Sequence, residues 1–254
     1  MIGFRNTIAG NSADFSNDCA ITCDGDDDYF SPVQGSELGP SVTDREFACS
    51  MWVYIDGYTS SDANANVQFC GKGIMQNTAS DNKGWSFGYT TYSTDKLIFE
   101  CHAYTSAELK LRIQTTYEMT INSGSWHHYA VVRRFSRDSD GTLTSDNECK
   151  YEIYYDGALV GSTTANDSSN TLLKAGGVID DGSASSLKHR CGISHANNND
   201  AHAKFADYAF YRDVGMTAED IKIMYNNGDM VFDHNTHPKA ANLVMYYRGG
   251  DERN

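Results

Sequence analysis

The pattern of apolar and polar positions along this chain predicts β-strands, most clearly in residues 45–55. In residues 45–55 the alternate positions fall on one face of an extended chain, because successive side chains of a strand point to opposite sides. One face carries Phe47, Cys49, Met51, Val53 and Ile55, and the other carries Ala48, Ser50, Trp52 and Tyr54. Apolar groups on both faces indicate a central strand covered on both sides, or a strand that lines a groove.

Shorter runs of strand-forming residues, separated by turn residues, predict the other strands. A strand and a turn enter the fold between Asp14 and Phe30. Further strands are expected near residues 66–71, 84–90, 95–103, 109–115, 126–134, 149–155, 158–163, 188–193, 203–212 and 241–248. Asp156-Gly157 separates two of these runs and predicts a two-residue hairpin, because both central residues of a type I′ turn need positive φ.

One helix is expected, from Ala218 to Asn227. Thr217 is suited to cap its N-terminus, two acidic residues follow in the first turn, and Gly228 is suited to end it. Its apolar residues at helical spacing are Ile221, Met224 and Tyr225. We therefore expect this helix to dock on a sheet through that apolar side.

Strands that far outnumber helices predict an all-β fold. The arrangement expected is a two-sheet antiparallel jelly-roll sandwich with one short C-terminal helix. Neither an internal repeat nor a linker interrupts residues 13–232. The predicted organisation is thus one domain over 13–232, with an N-terminal arm over 1–12 and a C-terminal extension over 233–254.

Charge and hydropathy limit the kinds of partner that this chain is expected to bind. The 254 residues carry a formal net charge of −14, which would repel a polyphosphate backbone, so nucleic acid is not an expected partner. No run approaches the roughly 18–20 apolar residues of a membrane span, so membrane insertion is not expected. The first ten residues lack the long apolar centre of a signal peptide. We expect a protein that stays where it is made or leaves within a larger assembly, unless a signal was trimmed.

Seven cysteines occur without a pairing rhythm, at positions 19, 23, 49, 70, 101, 149 and 191. Several lie within strand-like runs. Because a free cysteine packs as a small apolar residue, we expect mostly reduced and buried thiols.

Several blocks of sequence, in the same order, resemble laminin-G-like domains of the concanavalin A-like jelly-roll type. The blocks are Asp24-Gly-Asp-Asp-Asp-Tyr29, Phe47 to Tyr54, Gly124-Ser-Trp-His-His-Tyr-Ala-Val-Val-Arg133, Tyr151-Glu-Ile-Tyr-Tyr-Asp-Gly-Ala-Leu-Val-Gly161, and closing segments at 190–194, 204–212 and 216–226. In the first block Cys23 replaces the aromatic residue usual in these domains. The tail, Ala241 to Asp251, resembles segments that flank such domains in structural proteins of tailed bacteriophages.

The resemblance implies a non-catalytic structural or binding protein. The leading interpretation is a virion surface component, such as a capsid decoration or fibre protein, that contacts other virion subunits and forms a homo-oligomer. A secreted or cell-surface adhesin that binds carbohydrate is the alternative, with an extracellular location. A polysaccharide-active glycoside hydrolase is a distant third.

A calcium ion is the one cofactor for which the sequence offers candidate ligands. Carboxylates packed as densely as Asp24 to Asp28 suit Ca²⁺, although Tyr29 stands where the EF-hand loop needs glycine. The resemblance adds Asp207, because related sandwiches join an N-terminal turn to an aspartate on a late strand through a structural calcium. Asp24, Asp28 and Asp207 are the candidate ligands. The other interpretation is an acidic turn whose aspartates bond to backbone N–H groups.

Glycan contact is a further hypothesis, because sugar-binding sandwiches combine aromatic rings with amide and carboxylate groups. The candidate ligand-binding residues are Trp85, Tyr89, Tyr92, Asn197, Asn198 and Asp200. These aromatics are equally suited to fill a core.

Catalysis is not expected. A retaining glucanase needs two carboxyl groups roughly 5–5.5 Å apart, and the Glu-x-Asp-x-x-Glu pattern of sandwich glucanases is absent. The nearest arrangement is Glu148, Glu152 and Asp156, and the hairpin turn uses the last of these.

Overall fold

The structure is a computed structural model. It describes residues 20–24, 29–30, 46–56, 66–73, 84–90, 95–104, 110–119, 124–144, 148–165, 190–192, 201–230 and 232–248. Over these residues the chain forms twelve strands and one α-helix: β1 (Ile21–Asp24), β2 (Phe47–Ile55), β3 (Asn66–Gly73), β4 (Gly84–Thr90), β5 (Lys96–Tyr104), β6 (Lys110–Glu118), β7 (Trp126–Phe135), β8 (Cys149–Tyr155), β9 (Ala158–Ala165), β10 (Arg190–Cys191), β11 (His202–Arg212), α1 (Ala218–Tyr225) and β12 (Leu243–Tyr247).

These strands form two antiparallel sheets, as the sequence predicts. The seven-stranded sheet has the order β1-β11-β2-β7-β8-β9, and β12 also pairs with β11. The five-stranded sheet has the order β10-β3-β4-β5-β6. The all-β, two-sheet sandwich with one short helix is therefore confirmed. No helix in the described part of the chain has the length and apolar character needed to cross a membrane.

The core between the sheets is rich in aromatic rings. The ring of Trp85, on β4, stacks on that of Phe210, on β11, with centroids 5.8 Å apart and planes at 15°. Phe47, on β2, packs against both rings at 5.1 and 5.8 Å. Such contacts join the sheets through large buried surfaces and favourable ring geometry.

The outer face of the seven-stranded sheet has a second apolar cluster. Its members are Ala48, Ala130, Val132, Tyr154, Ala209, Tyr211, Val214, Met216, Ile221 and Met224. Helix α1 and the segment before it cover this face. Strand β2 is consequently buried on both faces over most of its length, which confirms the prediction of a central strand covered on both sides.

Helix α1 begins as predicted and ends earlier. The Thr217 hydroxyl accepts a hydrogen bond from the Asp220 N–H, and the Asp220 carboxylate accepts one from the Thr217 N–H, which completes a capping box. Asn226 and Asn227 adopt left-handed φ angles of 50° and 56°, which end the α-helix at Tyr225. Asparagine tolerates this conformation better than most residues, so the helix stops two residues before the predicted end.

The hairpin between β8 and β9 has the predicted turn. Asp156 and Gly157 have φ angles of 48° and 74°, as a type I′ turn requires. A Cβ at Gly157 would lie 2.8 Å from Cδ1 of Tyr225, so the turn also needs glycine to fit against α1.

The predicted C-terminal extension contributes to the sandwich. Strand β12 pairs with β11, with Tyr247 opposite Tyr208. The Nε2–H of His237 donates to the carbonyl oxygen of Asp220 in α1 at 3.2 Å. The described part of the extension is therefore joined to the fold, while the predicted arm over 1–12 lies outside the described residues.

Candidate ligand-binding surface

Two of the aromatic residues predicted to meet a ligand lie in the core. Trp85 is 0% exposed and Tyr89 is 1% exposed, because both occupy the inward-facing positions of β4. The Tyr89 ring packs 5.5 Å from that of Phe69, and Trp85 stacks on Phe210. Their placement corrects the expectation that these rings contact a ligand, in favour of core filling. The other candidates, Tyr92, Asn197, Asn198 and Asp200, lie outside the described residues.

The register of β1 on β11 separates two of the predicted calcium ligands. Asp24 lies opposite His202, and Asp207 follows five residues later on β11. At about 3.3 Å per residue, the two positions are about 16 Å apart along the strand. Two ligands of one calcium ion must each lie about 2.3–2.6 Å from it, so this register corrects the prediction of a shared site for Asp24 and Asp207.

The remaining calcium prediction concerns the acidic turn itself. Asp28 lies outside the described residues, and of Asp24 only the backbone is described. Within the described residues, no group of three or more His, Cys, Asp or Glu side chains is arranged to hold a metal ion. Calcium binding by the turn stays a prediction.

Asp207 has a different set of partners. It lies at a bulge in β11 with a φ of 52°, is 2% exposed, and its Oδ2 accepts a hydrogen bond from Nε2–H of His234 at 3.1 Å. The Tyr211 hydroxyl donates to Nδ1 of the same histidine at 2.9 Å. Burial, reinforced by Asp207, raises the pKa of Tyr211 well above its usual value, so the hydroxyl keeps the proton that it donates. This buried chain of hydrogen bonds anchors the C-terminal segment on the sheet.

The described surface that best fits a ligand lies where the outer face of the seven-stranded sheet emerges from beneath α1. Lys204, Tyr54 and Trp126 are aligned side by side on β11, β2 and β7. All three are partly exposed, and Asp56 follows at the end of β2. We call these four residues the aromatic rim.

The aromatic rim combines two rings with a cation and an anion. The rings of Tyr54 and Trp126 lie 5.7 Å apart at 60°. Nζ of Lys204 lies 4.7 Å from the centroid of Tyr54 and 3.4 Å from Oδ2 of Asp56. The exposed pair contributes little to stability, since ion pairs of this kind are worth about 0–1 kcal/mol. The same groups offer a ligand apolar ring surfaces, hydrogen-bond donors and an acceptor.

Helix α1 determines where the rim begins. Tyr225, the last helical residue, stacks its ring on that of Trp52 with centroids 5.9 Å apart and planes at 24°. Trp52 is consequently 3% exposed, whereas Tyr54, two residues further along the same face of β2, is partly exposed. The period of two in a strand thus places one aromatic beneath the helix and the next beyond it.

The turn after β8 holds the start of β7, the strand that carries Trp126. Oδ1 of Asp156 accepts a hydrogen bond from the His128 N–H at 2.9 Å, and Oδ2 bonds to Nδ1 of His127 at 2.8 Å. The His127 ring stacks on Tyr155 at 4.8 Å. The two histidines lie on opposite faces of β7, because they are consecutive residues of one strand. Asp156 thus links the turn to the start of β7, next to Trp126.

The carboxylates closest to a glycosidase arrangement are engaged in such structural contacts. Both oxygens of Glu152 accept hydrogen bonds from Arg134 at 2.8 Å, and the Tyr154 hydroxyl donates to one of them at 2.9 Å. The Asp156 carboxylate bonds to His127 and His128 at the start of β7. Both carboxylates are thus held by hydrogen bonds within the sheet.

Sequence reasoning did not select Tyr54 and Trp126 as ligand-binding residues. The signal was present in the outward-facing alternation of residues 45–55 and in the tryptophan that opens residues 126–134. The pattern does not give the position of the end of α1 over β2. That position decides which outward-facing aromatic residue is covered.

Comparison with known proteins agrees with this architecture. The family model described as the concanavalin A-like lectin/glucanases superfamily, in its laminin G-like form, matches residues 24–222. No curated protein sequence showed significant similarity to the chain.

Several solved structures are similar to this chain at low identity. The binding domain of Paraclostridial mosquitocidal protein 1 is 13% identical with a TM-score of 0.47, over 82% of this chain and 46% of that one. The receptor-binding domain of botulinum neurotoxin type G is 12% identical with a TM-score of 0.44, over 84% and 48%. A full-length tailspike protein of an Escherichia coli bacteriophage is 9% identical with a TM-score of 0.47, over 84% and 25%.

The chain therefore spans less than half of the length of each of these three proteins. The family match covers most of the chain. The chain belongs to the concanavalin A-like lectin/glucanases superfamily, as a laminin G-like β-sandwich.

Proposed function

We propose that this chain is a non-catalytic binding module whose aromatic rim contacts a hydroxyl-rich ligand, such as a glycan. The observation that carries the proposal is the row of Lys204, Tyr54 and Trp126, three partly exposed side chains at one end of the sheet. Tryptophan and tyrosine are enriched at binding sites because each combines a large apolar ring with a polar group.

The chemistry of the rim suits a sugar. The apolar face of a pyranose ring can pack on an indole or phenol ring, while its hydroxyl groups need both donors and acceptors. Nζ of Lys204 supplies donors, and the Asp56 carboxylate supplies an acceptor 3.4 Å away. The family includes both lectins and glucanases, and the structural engagement of Glu152 and Asp156 favours binding over hydrolysis.

We further propose display on a virion surface, as a capsid decoration or fibre subunit in a homo-oligomer. The support is the resemblance of residues 241–251 to segments that flank such domains in phage structural proteins. Because residues 243–247 form β12 within the chain's own sheet, contacts between subunits are expected from 1–12 and 249–254. In a secreted or cell-surface adhesin, which is the alternative, the same rim would bind carbohydrate.

A glycan array tests the ligand. The wild-type protein is expected to give a reproducible signal that falls at least about tenfold in Trp126→Ala, because loss of a central aromatic contact costs about 2 kcal/mol. Leu143→Ala is the matched control, since it removes an exposed apolar side chain beyond the opposite end of β7. A wild-type signal that Trp126→Ala leaves unchanged, or the absence of any signal, would exclude the rim as a glycan site.

The location needs a separate experiment. Antibody-labelled electron microscopy of particles is expected to show the protein on the virion surface, and deletion of residues 1–12 is expected to abolish its incorporation. Label on a cell surface, with none on particles, would favour the adhesin.

A further inference from the structure

Two of the buried thiols touch each other across the sandwich. Cys49 lies on β2 of the seven-stranded sheet and Cys70 on β3 of the five-stranded sheet. Their Sγ atoms are 3.5 Å apart, and both side chains are fully buried. Nothing in the binding surface described above uses either residue.

The two sulfur atoms are in van der Waals contact, and a bond between them would join the sheets. A disulfide needs an S–S distance of about 2.03–2.05 Å, so the two sulfur atoms must approach by about 1.5 Å. Both side chains belong to the core cluster between the sheets. The competing partner is Cys191, which lies opposite Cys70 on the adjacent strand β10.

We propose that Cys49 and Cys70 form a disulfide that links the two sheets when the chain folds in the presence of a small-molecule disulfide. One thiolate attacks the small disulfide and releases a thiol. The second thiolate then attacks the resulting mixed disulfide and releases another thiol. The protein loses two electrons and two protons, and the reagent is reduced to two thiols.

Burial determines when this reaction occurs. Desolvation raises the pKa of the Cys70 thiol well above its usual value, and the neighbouring Cys49 adds to the shift. Because the thiolate is the reacting species, the folded core protects the reduced pair from reagents. The bond is therefore made while the core is still open, and afterwards only slowly.

The disulfide closes a loop between positions separated by 21 residues. Restricting the unfolded chain over a loop of that size is expected to raise the melting temperature by about 5–10 °C. This effect does not depend on the proposed glycan contact.

The test compares protein refolded in a glutathione redox buffer with protein refolded in excess reductant. Free thiols are alkylated in denaturant, and disulfide-linked peptides are identified by mass spectrometry. We expect a peptide pair joining Cys49 to Cys70 in the oxidised sample. A link between Cys70 and Cys191, or complete alkylation of Cys49 and Cys70 in that sample, would overturn the proposal.

Two variants extend the test to stability. Cys70→Ala is expected to have the same melting temperature in both buffers. The control is Cys191→Ala, which removes the same atom from another fully buried position. This control is expected to keep the difference in melting temperature between the two buffers. If Cys70→Ala does not fold, Cys49→Ala replaces it. The peptide map of the wild type identifies the linked cysteines without either variant. A redox-dependent difference that survives in Cys70→Ala or Cys49→Ala would exclude this pair as its cause.

Discussion

The imidazole of His128 should make the protein sensitive to acid. This side chain is 1% exposed, and its Nε2 lies 2.8 Å from the Ser50 hydroxyl. Burial, with a smaller contribution from the nearby His234, lowers the pKa of His128 to about 3. In the unfolded chain the same group takes up a proton near its ordinary value of about 6.5.

The sign and the size follow from proton linkage. Between about pH 6.5 and pH 3 the unfolded state binds more protons at His128 than the folded state, so stability falls as the pH falls. At pH 5, with RT of about 0.59 kcal/mol, protonation of the unfolded state costs the fold about 2 kcal/mol. The figure hardly changes if the folded pKa is higher by one unit, because the folded group is still almost entirely neutral at pH 5.

The assay is urea unfolding at pH 7.5 and pH 5.0 for the wild type and His128→Gln. Glutamine does not titrate and keeps a group that can bond to Ser50. The free energy of unfolding of the wild type should fall about 2 kcal/mol more between the two pH values than that of the variant. Contributions from other titrating groups, such as His237, are common to both proteins and cancel. Equal losses in the two proteins would show that His128 does not remain neutral in the folded state.

Other predictions concern backbone contact, a buried charge and the acidic turn. Gly88→Ala would place a Cβ in collision with the Val67 carbonyl oxygen, so urea unfolding should show a loss of about 2–4 kcal/mol. Glu152→Ala leaves the half-buried Arg134 without its bidentate partner and should cost about 1–3 kcal/mol by the same assay, with Glu152→Gln losing less. If the turn at 24–28 binds calcium, chelation should lower the melting temperature and Ca²⁺ should restore it. A melting temperature unchanged by chelation would exclude a stabilising calcium ion at that turn.

Local features of the sequence predicted local structure well. The alternation in residues 45–55, the Asp156-Gly157 turn and the cap at Thr217 each depend on contacts within a few residues, and each is present in the structure. The predicted end of α1 was two residues too late, because Asn226 and Asn227 adopt a left-handed conformation. Asparagine permits this conformation, but its presence in a sequence does not require it.

Features that depend on distant pairings could not be predicted from the pattern. In β4 the alternation distinguishes two faces but does not say which one points inward, so Trp85 was equally suited to the core and to a ligand. The distance from Asp24 to Asp207 depends on the register of β1 against a strand about 180 residues later in the chain. The partnership of Asp207 with His234 likewise depends on how the C-terminal segment crosses the sheet.

Strand β2 shows how one pattern can serve both stability and binding. Its inward-facing residues fill the core, and its outward-facing Trp52 is sealed beneath Tyr225. Tyr54, the next outward-facing residue, is beyond the helix and needs no partner from α1. Stability and recognition should therefore be separable on this strand. Tyr54→Ala is expected to weaken ligand binding with a loss of stability below about 1 kcal/mol, whereas Trp52→Ala should cost about 3 kcal/mol or more in unfolding free energy. Equal losses of stability in the two variants would mean that the rim is part of the core and not a free surface.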